Sequence, residues 1–335
     1  MQPYLCYGYN LIETLRCENN GGVSEHAFSG CEGITSLTLG EEVSSIGDYA
    51  FSGCCSLTAI TIPKSVNAIG NYAFSGCTGL GTILMDDGNT ELTLGSNGSS
   101  PLFAGCPLDS VYIGRNITYP TGSSKGYSPF CRNTSLRSVH ISDAETEITP
   151  NEFYGCTNLK NVRLGDGITT IGDWAFSGCS SLDFFSFGSS VESIGKEAFS
   201  DCSTMTKLIS KAAIPPICGT QALDDINKWE CTLLVPDESL ALYQAADQWK
   251  EFFFMDIDPD GIASPKSSPE GKDSPGEAYD LSGRQIVNGK FLDALAPRRD
   301  CSRGRSNGQM PRGINIIRMS DGSVRKILRK QEKRK

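Results

Sequence analysis

Apolar residues return at fixed places along the first 210 positions of the chain. The run Ile46-Gly47-Asp48-Tyr49-Ala50-Phe51-Ser52-Gly53-Cys54 recurs as Ile69 to Cys77, as Ile171 to Cys179 and as Ile194 to Cys202. Aligning the phenylalanines gives Phe28, Phe51, Phe74, Phe103, Phe130, Phe153, Phe176 and Phe199, mostly 23 residues apart. After each cysteine comes one apolar residue and then an alternating pair: Leu57 with Ile60 and Ile62, or Leu182 with Phe185 and Phe187. That alternation is the period of a half-buried strand. A turn follows, at Pro63, Gly165 or Gly188. A second extended piece is expected over Val66 to Ile69 and over Val191 to Ile194. A period of 23 residues leaves room for two short strands and little helix. Self-similarity at that period predicts stacked coils, because no single coil can bury its own Phe, Leu and Ile.

The cysteines follow the same register. Three residues after each aligned phenylalanine stand Cys31, Cys54, Cys77, Cys106, Asn133, Cys156, Cys179 and Cys202. This column predicts a structural ladder inside the stack, where a thiol acts as a small hydrophobe with no basic neighbour to activate it. Asn133 is its one exception, and Asn can also serve the backbone of a bend. Gly47, Gly70, Gly172 and Gly195 are expected either to adopt backbone angles unfavourable to other residues or to let a neighbouring coil approach. Two coils are longer: six extra residues precede Phe103 and four precede Phe130. Insertions in a repeat array map to loops on one edge and often carry specificity.

Charge separates the chain into parts. The net charge is −9, yet Arg298 to Lys335 holds 13 basic against 3 acidic residues, which leaves −19 on the remainder. An acidic body repels phosphate, so no nucleic-acid partner is expected. No run of apolar residues is long enough to span a membrane. The first residues, Met1 to Tyr9, carry neither a basic nor an apolar leader region, so no export signal is expected in the chain as written.

The combination Ile-Gly-x-x-Ala-Phe-x-x-Cys-x-x-Leu at this period resembles the BspA-like leucine-rich-repeat family, typical of surface proteins of host-associated anaerobic bacteria. The resemblance covers about Val23 to Ser210. It implies a leucine-rich-repeat right-handed solenoid, mostly short parallel β-strands with little helix, and a role in adhesion or host interaction. It supplies no catalytic residues and no cofactor. The segment from Ala213 through Cys231 to Phe252 looks like the family's C-terminal cap, with Leu240, Tyr243 and Trp249 able to cover the open end. The expected organisation is a degenerate N-terminal repeat or cap over 1–22, eight coils over 23–210 and the cap over 211–257. A flexible linker over 258–277, a small β-strand tail over 278–330 and a basic end over 331–335 complete it. The tail is similar to the short sorting or anchoring modules of the same bacterial group, which implies a surface location and attachment through the tail. Within it, Ala278 to Arg284, Pro311 to Arg318 and Val324 to Leu328 read as strands, the last two joined at Asp321-Gly322.

Motifs for catalysis are missing. The two histidines, His26 and His140, lie in no zinc-binding pattern, and there is no phosphate loop, nucleophile elbow or dinucleotide fingerprint. Asp256 to Gly261 matches the first half of a calcium loop, but Ser267 stands where a bidentate Glu is needed, so the segment reads as an acidic hinge. No metal or cofactor is expected.

Strand alternation points to the functional surface. With Ile60 and Ile62 inward, one outward column reads Thr38, Thr61, Leu84, Tyr112, His140, Arg163, Ser186, Ile209. Its neighbour reads Ser36, Ala59, Thr82, Ser110, Ser138, Asn161, Phe184, Lys207. The middle gathers the residue types enriched at binding hot spots. Tyr112, His140, Arg163 and Phe184 are therefore the candidate site for an extracellular protein or glycan. Two other readings compete with a non-enzymatic interaction protein. A carbohydrate-active enzyme on a parallel β-helix needs paired carboxylates facing a cleft. An intracellular scaffold is favoured by the absent leader alone.

Overall fold

The computed structural model describes residues 12–18, 21–97, 100–119 and 128–258, together with the strands Ala278–Tyr279, Gln285–Val287, Lys290–Phe291, Ile314–Arg318 and Val324–Leu328. The chain winds into a parallel β-solenoid. One strand of each coil lies in a first sheet: Thr14–Cys17, Ser36–Leu39, Ala59–Ile62, Thr82–Met85, Ser110–Ile113, Ser138–Ile141, Asn161–Arg163, Phe184–Phe187, Lys207–Ser210, Thr232–Val235 and Phe254–Ile257. Hydrogen-bonded pairing is continuous from Ala59–Ile62 to Asn161–Arg163 and from Phe184–Phe187 to Phe254–Ile257. A second sheet of shorter strands closes each coil, as in Ala68–Ile69, Thr170–Ile171 and Ser193–Ile194. These are shorter than the four residues the sequence suggested.

Register explains why the repeat folds this way. Ala59, Ile60, Thr61 and Ile62 pair with Thr82, Ile83, Leu84 and Met85, so each residue lies beside its own equivalent one coil away. Ile60 and Ile62 are buried, and Ala59 and Thr61 are not. Like then stacks on like. The eight repeat phenylalanines form one unbroken column, with ring centroids 5.4 to 5.9 Å apart. A single hydrophobic core runs from Ile12 to Phe252.

The cysteine column adds hydrogen bonds to that core. Cys54, Cys77, Cys106, Cys156, Cys179 and Cys202 each donate through Sγ to the carbonyl of the phenylalanine in the preceding coil, at 3.0 to 3.4 Å. Asn133 donates through Nδ2 to the Cys106 carbonyl at 2.8 Å and accepts from the Ser135 amide through Oδ1. All the described cysteines are free thiols. Burial pushes the thiols of Cys156 and Cys202 up to about 12, so neither is a thiolate nucleophile near neutral pH.

Of the two roles open to the Gly70 column, close approach is the one realised. A Cβ on Gly70 would sit 2.5 Å from the Asp48 backbone nitrogen, and one on Gly195 would sit 2.4 Å from that of Asp173. Left-handed backbone falls instead two residues later, on Tyr49, Tyr72 and Trp174, at φ of 54°, 56° and 55°. The Tyr49 amide donates across to the next coil's Asn71 carbonyl at 3.0 Å. His26, Tyr49 and Tyr72 stack at 4.7 Å spacing. These cross-coil contacts accompany a conformation that is uncommon for side chains of this size.

A helical turn lies between the last two strands of the first sheet. Beyond Thr232–Val235, the six-residue helix Leu240–Ala245 brings Tyr243 inward, and Trp249 follows it; both are fully buried. Tyr243 donates to the Ala212 carbonyl at 2.9 Å and lies 2.6 Å from Ser210 Oγ, while Trp249 Nε1 donates to the Pro216 carbonyl. The reading of Asp256 onward as a hinge needs correction at its start. Phe254–Ile257 is a further first-sheet strand, in register with Thr232–Val235. Its pairing groups are backbone atoms, which a motif search does not see.

The strand Ile314–Arg318 runs parallel to Thr14–Cys17 and antiparallel to Val324–Leu328. The linker expected over 258–277 lies, apart from Asp258, outside the described residues, as do the basic end and most of the tail. No helix among the described residues is long and apolar enough to cross a membrane.

Candidate functional site

Parallel register places three of the four sequence-predicted residues in one row. Tyr112 pairs with His140, and His140 with Arg163, on successive strands of the first sheet. Their flanking residues Val111, Val139 and Val162 point into the core. Phe184 stands apart from this row. It lies one coil further, in the neighbouring outward column, and its register partner is Lys207. The hydrogen-bonded ladder is interrupted between Asn161–Arg163 and Phe184–Phe187.

Tyr112 and His140 are half-buried, and their rings meet edge to face at 5.1 Å and 80°. The Tyr112 hydroxyl donates to Asp87 Oδ1 at 2.5 Å. Asp87 belongs to the insertion that lengthens the preceding coil, so the extra residues supply a carboxylate to the face. Burial and then the Asp87 hydrogen bond raise the Tyr112 phenol above its ordinary range. Burial, followed by the Arg163 guanidinium, lowers the imidazole of His140, although Asp87 and Asp143 oppose the shift. His140 is therefore neutral at pH 7, able to donate one hydrogen bond and accept another. Arg163 is exposed. The row presents a phenol, a neutral imidazole and a guanidinium on a rigid sheet, which suits recognition through hydrogen bonds and one positive charge.

Leu84 departs from the outward reading. It lies beside Tyr112 in register yet is only 5% exposed, so the apolar face continues under the row. At the other end of this sheet a cleft of about 770 Å³ opens among Arg16, Glu18, Thr38, Glu42, Thr61 and Asp86. Its polar lining makes the N-terminal end of the face less bland than the sequence columns suggested.

The structure also brings together groups that the columns could not show. Glu145 and Glu152 interact across a buried site under the irregular coils, and both are almost wholly buried. Glu145 accepts from the Ile117 amide, and its other oxygen has no hydrogen-bond partner. Glu152 accepts from the Thr149 amide and hydroxyl. A carboxylate pair held this way faces the interior and not a substrate cleft. No group of His, Cys, Asp and Glu suited to a metal ion occurs among the described residues.

Exposed aromatic residues missed by the repeat reading lie at the cap. Trp229, Phe253 and Phe254 are 71%, 62% and 50% exposed. The Trp229 and Phe253 rings stack at 4.9 Å, and Phe254 meets Phe253 edge-on. They fall outside the 23-residue period, so column alignment passed over them. The cluster Glu251-Phe252-Phe253-Phe254 was the available signal.

Comparison with known protein families agrees with this architecture. A family profile described as BspA type leucine rich repeat region matches residues 2–125 and 123–219, in 6 copies. A leucine rich cell surface protein from Faecalibacterium prausnitzii aligns at 22% identity and a TM-score of 0.32, over 74% of this chain and 61% of that one. The chain thus spans less than two thirds of that protein's length. A leucine-rich repeat protein from Bacteroides ovatus aligns at 23% identity and a TM-score of 0.35, over 71% of this chain and 76% of that one. A leucine rich repeat protein of T. pallidum aligns at 23% identity and a TM-score of 0.40, over 51% of this chain and 78% of its own. No curated protein matches the chain.

Proposed function

The chain belongs to the BspA type leucine-rich-repeat family, and from that premise we propose that it is a non-enzymatic interaction protein of the bacterial surface. Its first sheet presents a rigid face to an extracellular protein or glycan, and the contact serves adhesion or host interaction. The C-terminal tail attaches the solenoid to the cell envelope. The observation that carries the reading is the Tyr112–His140–Arg163 row, held in parallel register and joined to Asp87 by the Tyr112 hydroxyl. Three different polar functions on fixed backbone form a preorganised recognition surface, whose ordering is already met in the free protein. Phe184 adds an exposed ring one coil away. Such aromatic and Arg side chains dominate measured binding energies at interfaces.

The test replaces Tyr112, His140, Arg163 and Phe184 together with serine and measures adhesion to immobilised host matrix alongside thermal unfolding. Adhesion is expected to be lost while the unfolding temperature stays within a few degrees. Unchanged adhesion with an unchanged melting profile removes this patch from the function.

A further inference from the structure

The strand Ile314–Arg318 covers the outer edge of the first strand of the solenoid. It pairs in parallel with Thr14–Cys17, with Ile314 beside Leu15, Asn315 beside Arg16 and Ile316 beside Cys17. An uncovered edge offers its amides and carbonyls to any other chain; here the chain's own tail takes them. Val324–Leu328 completes the hairpin, with Leu328 beside Ile314. Leu328, Ile314, Leu15 and Leu37 therefore stand on one line across the sheet. Leu37 lines the cleft of about 770 Å³ at this end of the face. It stands three strand spacings from Leu328, about 14 Å.

That cleft is acidic. Glu18, Glu41, Glu42 and Asp86 line it against one guanidinium, that of Arg16. Glu18 is engaged by Arg16, and Asp86 lies near the buried Arg115. Glu41 and Glu42 are exposed and enter no ion pair among the described residues. Lys64 follows the lining residue Pro63, and Asp87 follows Asp86. With these neighbours and Arg115 included, five carboxylates meet three cations, so the balance stays negative.

We propose that this cleft is a docking site for a basic segment of the same chain, residues 329–335, delivered by the hairpin that covers the sheet edge. The segment, Arg329-Lys330-Gln331-Glu332-Lys333-Arg334-Lys335, carries five cations against one carboxylate and follows Leu328 directly. Seven extended residues reach about 23 Å, enough to cross to Leu37 and continue toward Glu41 and Glu42. Two features select this occupant over another basic peptide. Hairpin register brings it to the strand that supplies Arg16 to the cleft, and a covalent tether keeps its local concentration high. Acidic residues occur elsewhere, as at Asp237 and Glu238, but among the described residues no strand of the tail pairs there. Docking in this way closes the N-terminal end of the first sheet at its edge and on its face. It also turns that end of the solenoid toward whatever the tail is attached to.

The test uses the full chain in dilute solution and a zero-length carbodiimide, which joins a carboxylate to a lysine amine in contact with it. Links from Glu41 or Glu42 to Lys330, Lys333 or Lys335 are expected, within one chain when isotope-labelled and unlabelled copies are mixed. Limited trypsin cleavage after Arg329 and Lys330 gives a second readout. Glu41→Gln combined with Glu42→Gln should speed that cleavage about three- to ten-fold, the worth of two exposed charge pairs, at an unchanged melting temperature. Asp237→Asn combined with Glu238→Gln removes equal charge at the far end and should leave cleavage as in the parent. Links spread evenly over the body's carboxylates, cleavage indifferent to Glu41 and Glu42, or an equal response to the far-end pair would overturn the proposal. Links found only between labelled and unlabelled chains give the cleft to a second copy, and links to other lysines give it to another segment; either outcome sinks docking by this one. Neither readout involves host matrix, so adhesion through Tyr112 and Phe184 stands or falls separately.

Discussion

The coils around Phe51 and Phe176 and the coils between Phe74 and Phe153 follow the same path with different interiors. In the regular coils no charged side chain is buried, either between Cys31 and Cys77 or between Phe153 and Phe199. In the irregular ones Arg115, Glu145 and Glu152 are buried, with Tyr119 packed against the core. Arg115 donates to the Lys64 and Pro63 carbonyls, with Asp86 as its nearby counter-charge, so a cation reaches across the lengthened coil between them and ties together the coils on either side. Glu145 has no such compensation: burial and the proximity of Glu152 push its carboxyl up to about 9, and burial pushes Glu152 up to about 7. Insertion changes where the backbone carbonyls and amides fall, and buried polar groups then take over work that identical coils do through register. The Tyr112–Asp87 contact sits over this same irregular region. Uniform coils supply rigidity, and departures from uniformity supply distinct chemistry.

The strongest challenge to this contrast is Phe51→Ala. Phe51 stacks on both Phe28 and Phe74, so its loss opens a cavity in the uniform column and should cost about 3–5 kcal/mol, read by denaturant unfolding. A cost below about 1 kcal/mol would mean the coils collapse independently. Gly70→Ala comes next, because the added Cβ meets backbone of the preceding coil and neither side can yield cheaply. A loss of about 1–3 kcal/mol is expected, whereas Gly81→Ala, whose nearest neighbour lies at 3.9 Å, should stay within about 0.5 kcal/mol.

In the irregular region a substitution should act in the opposite direction. Glu145 is protonated when folded and ionises near pH 4.5 when unfolded, so the folded state holds more protons between these limits. Stability from this group is complete at acid pH and falls as pH rises from about 5 through about 9. Glu145→Gln keeps the amide contact and removes the ionisation. The variant should gain on the order of 2 kcal/mol at pH 8 and lose most of the slope in a pH series of melting temperatures. A variant less stable than its parent at pH 8 would show that the carboxylate is compensated after all. The smallest effect belongs to Tyr112→Phe, which deletes one half-exposed hydrogen bond to Asp87 and should cost less than about 1 kcal/mol in denaturant unfolding.

Much of the fold was legible because a repeat states its own alignment. The Phe and Cys columns lie in the core as their spacing indicated, and Asn133 replaces cysteine at a bend where its amide both donates and accepts. The order of the outward columns, Tyr112 beside His140 beside Arg163, also follows from the period. Legibility ended where residues left the period. Phe254–Ile257 joins the first sheet through backbone hydrogen bonds that carry no side-chain signature, so the continuation of the Phe184–Lys207 row was invisible. Leu84 occupies an outward position and is nonetheless covered.

The sequence alone determined the stack: identical spacing forces identical residues into register, and only a shared interior can bury them. Tertiary structure decided the rest. It alone showed that the Gly70 column serves close approach and not unusual backbone angles, since both roles select glycine and only coordinates separate them. It alone set Glu145 against Glu152 in the buried interior and against the Ile117 amide of the preceding irregular coil, a placement that depends on how the insertions there fold. A period can specify neighbours one coil away. What a side chain meets beyond that depends on how the insertions turn, and nothing in the local spacing records it.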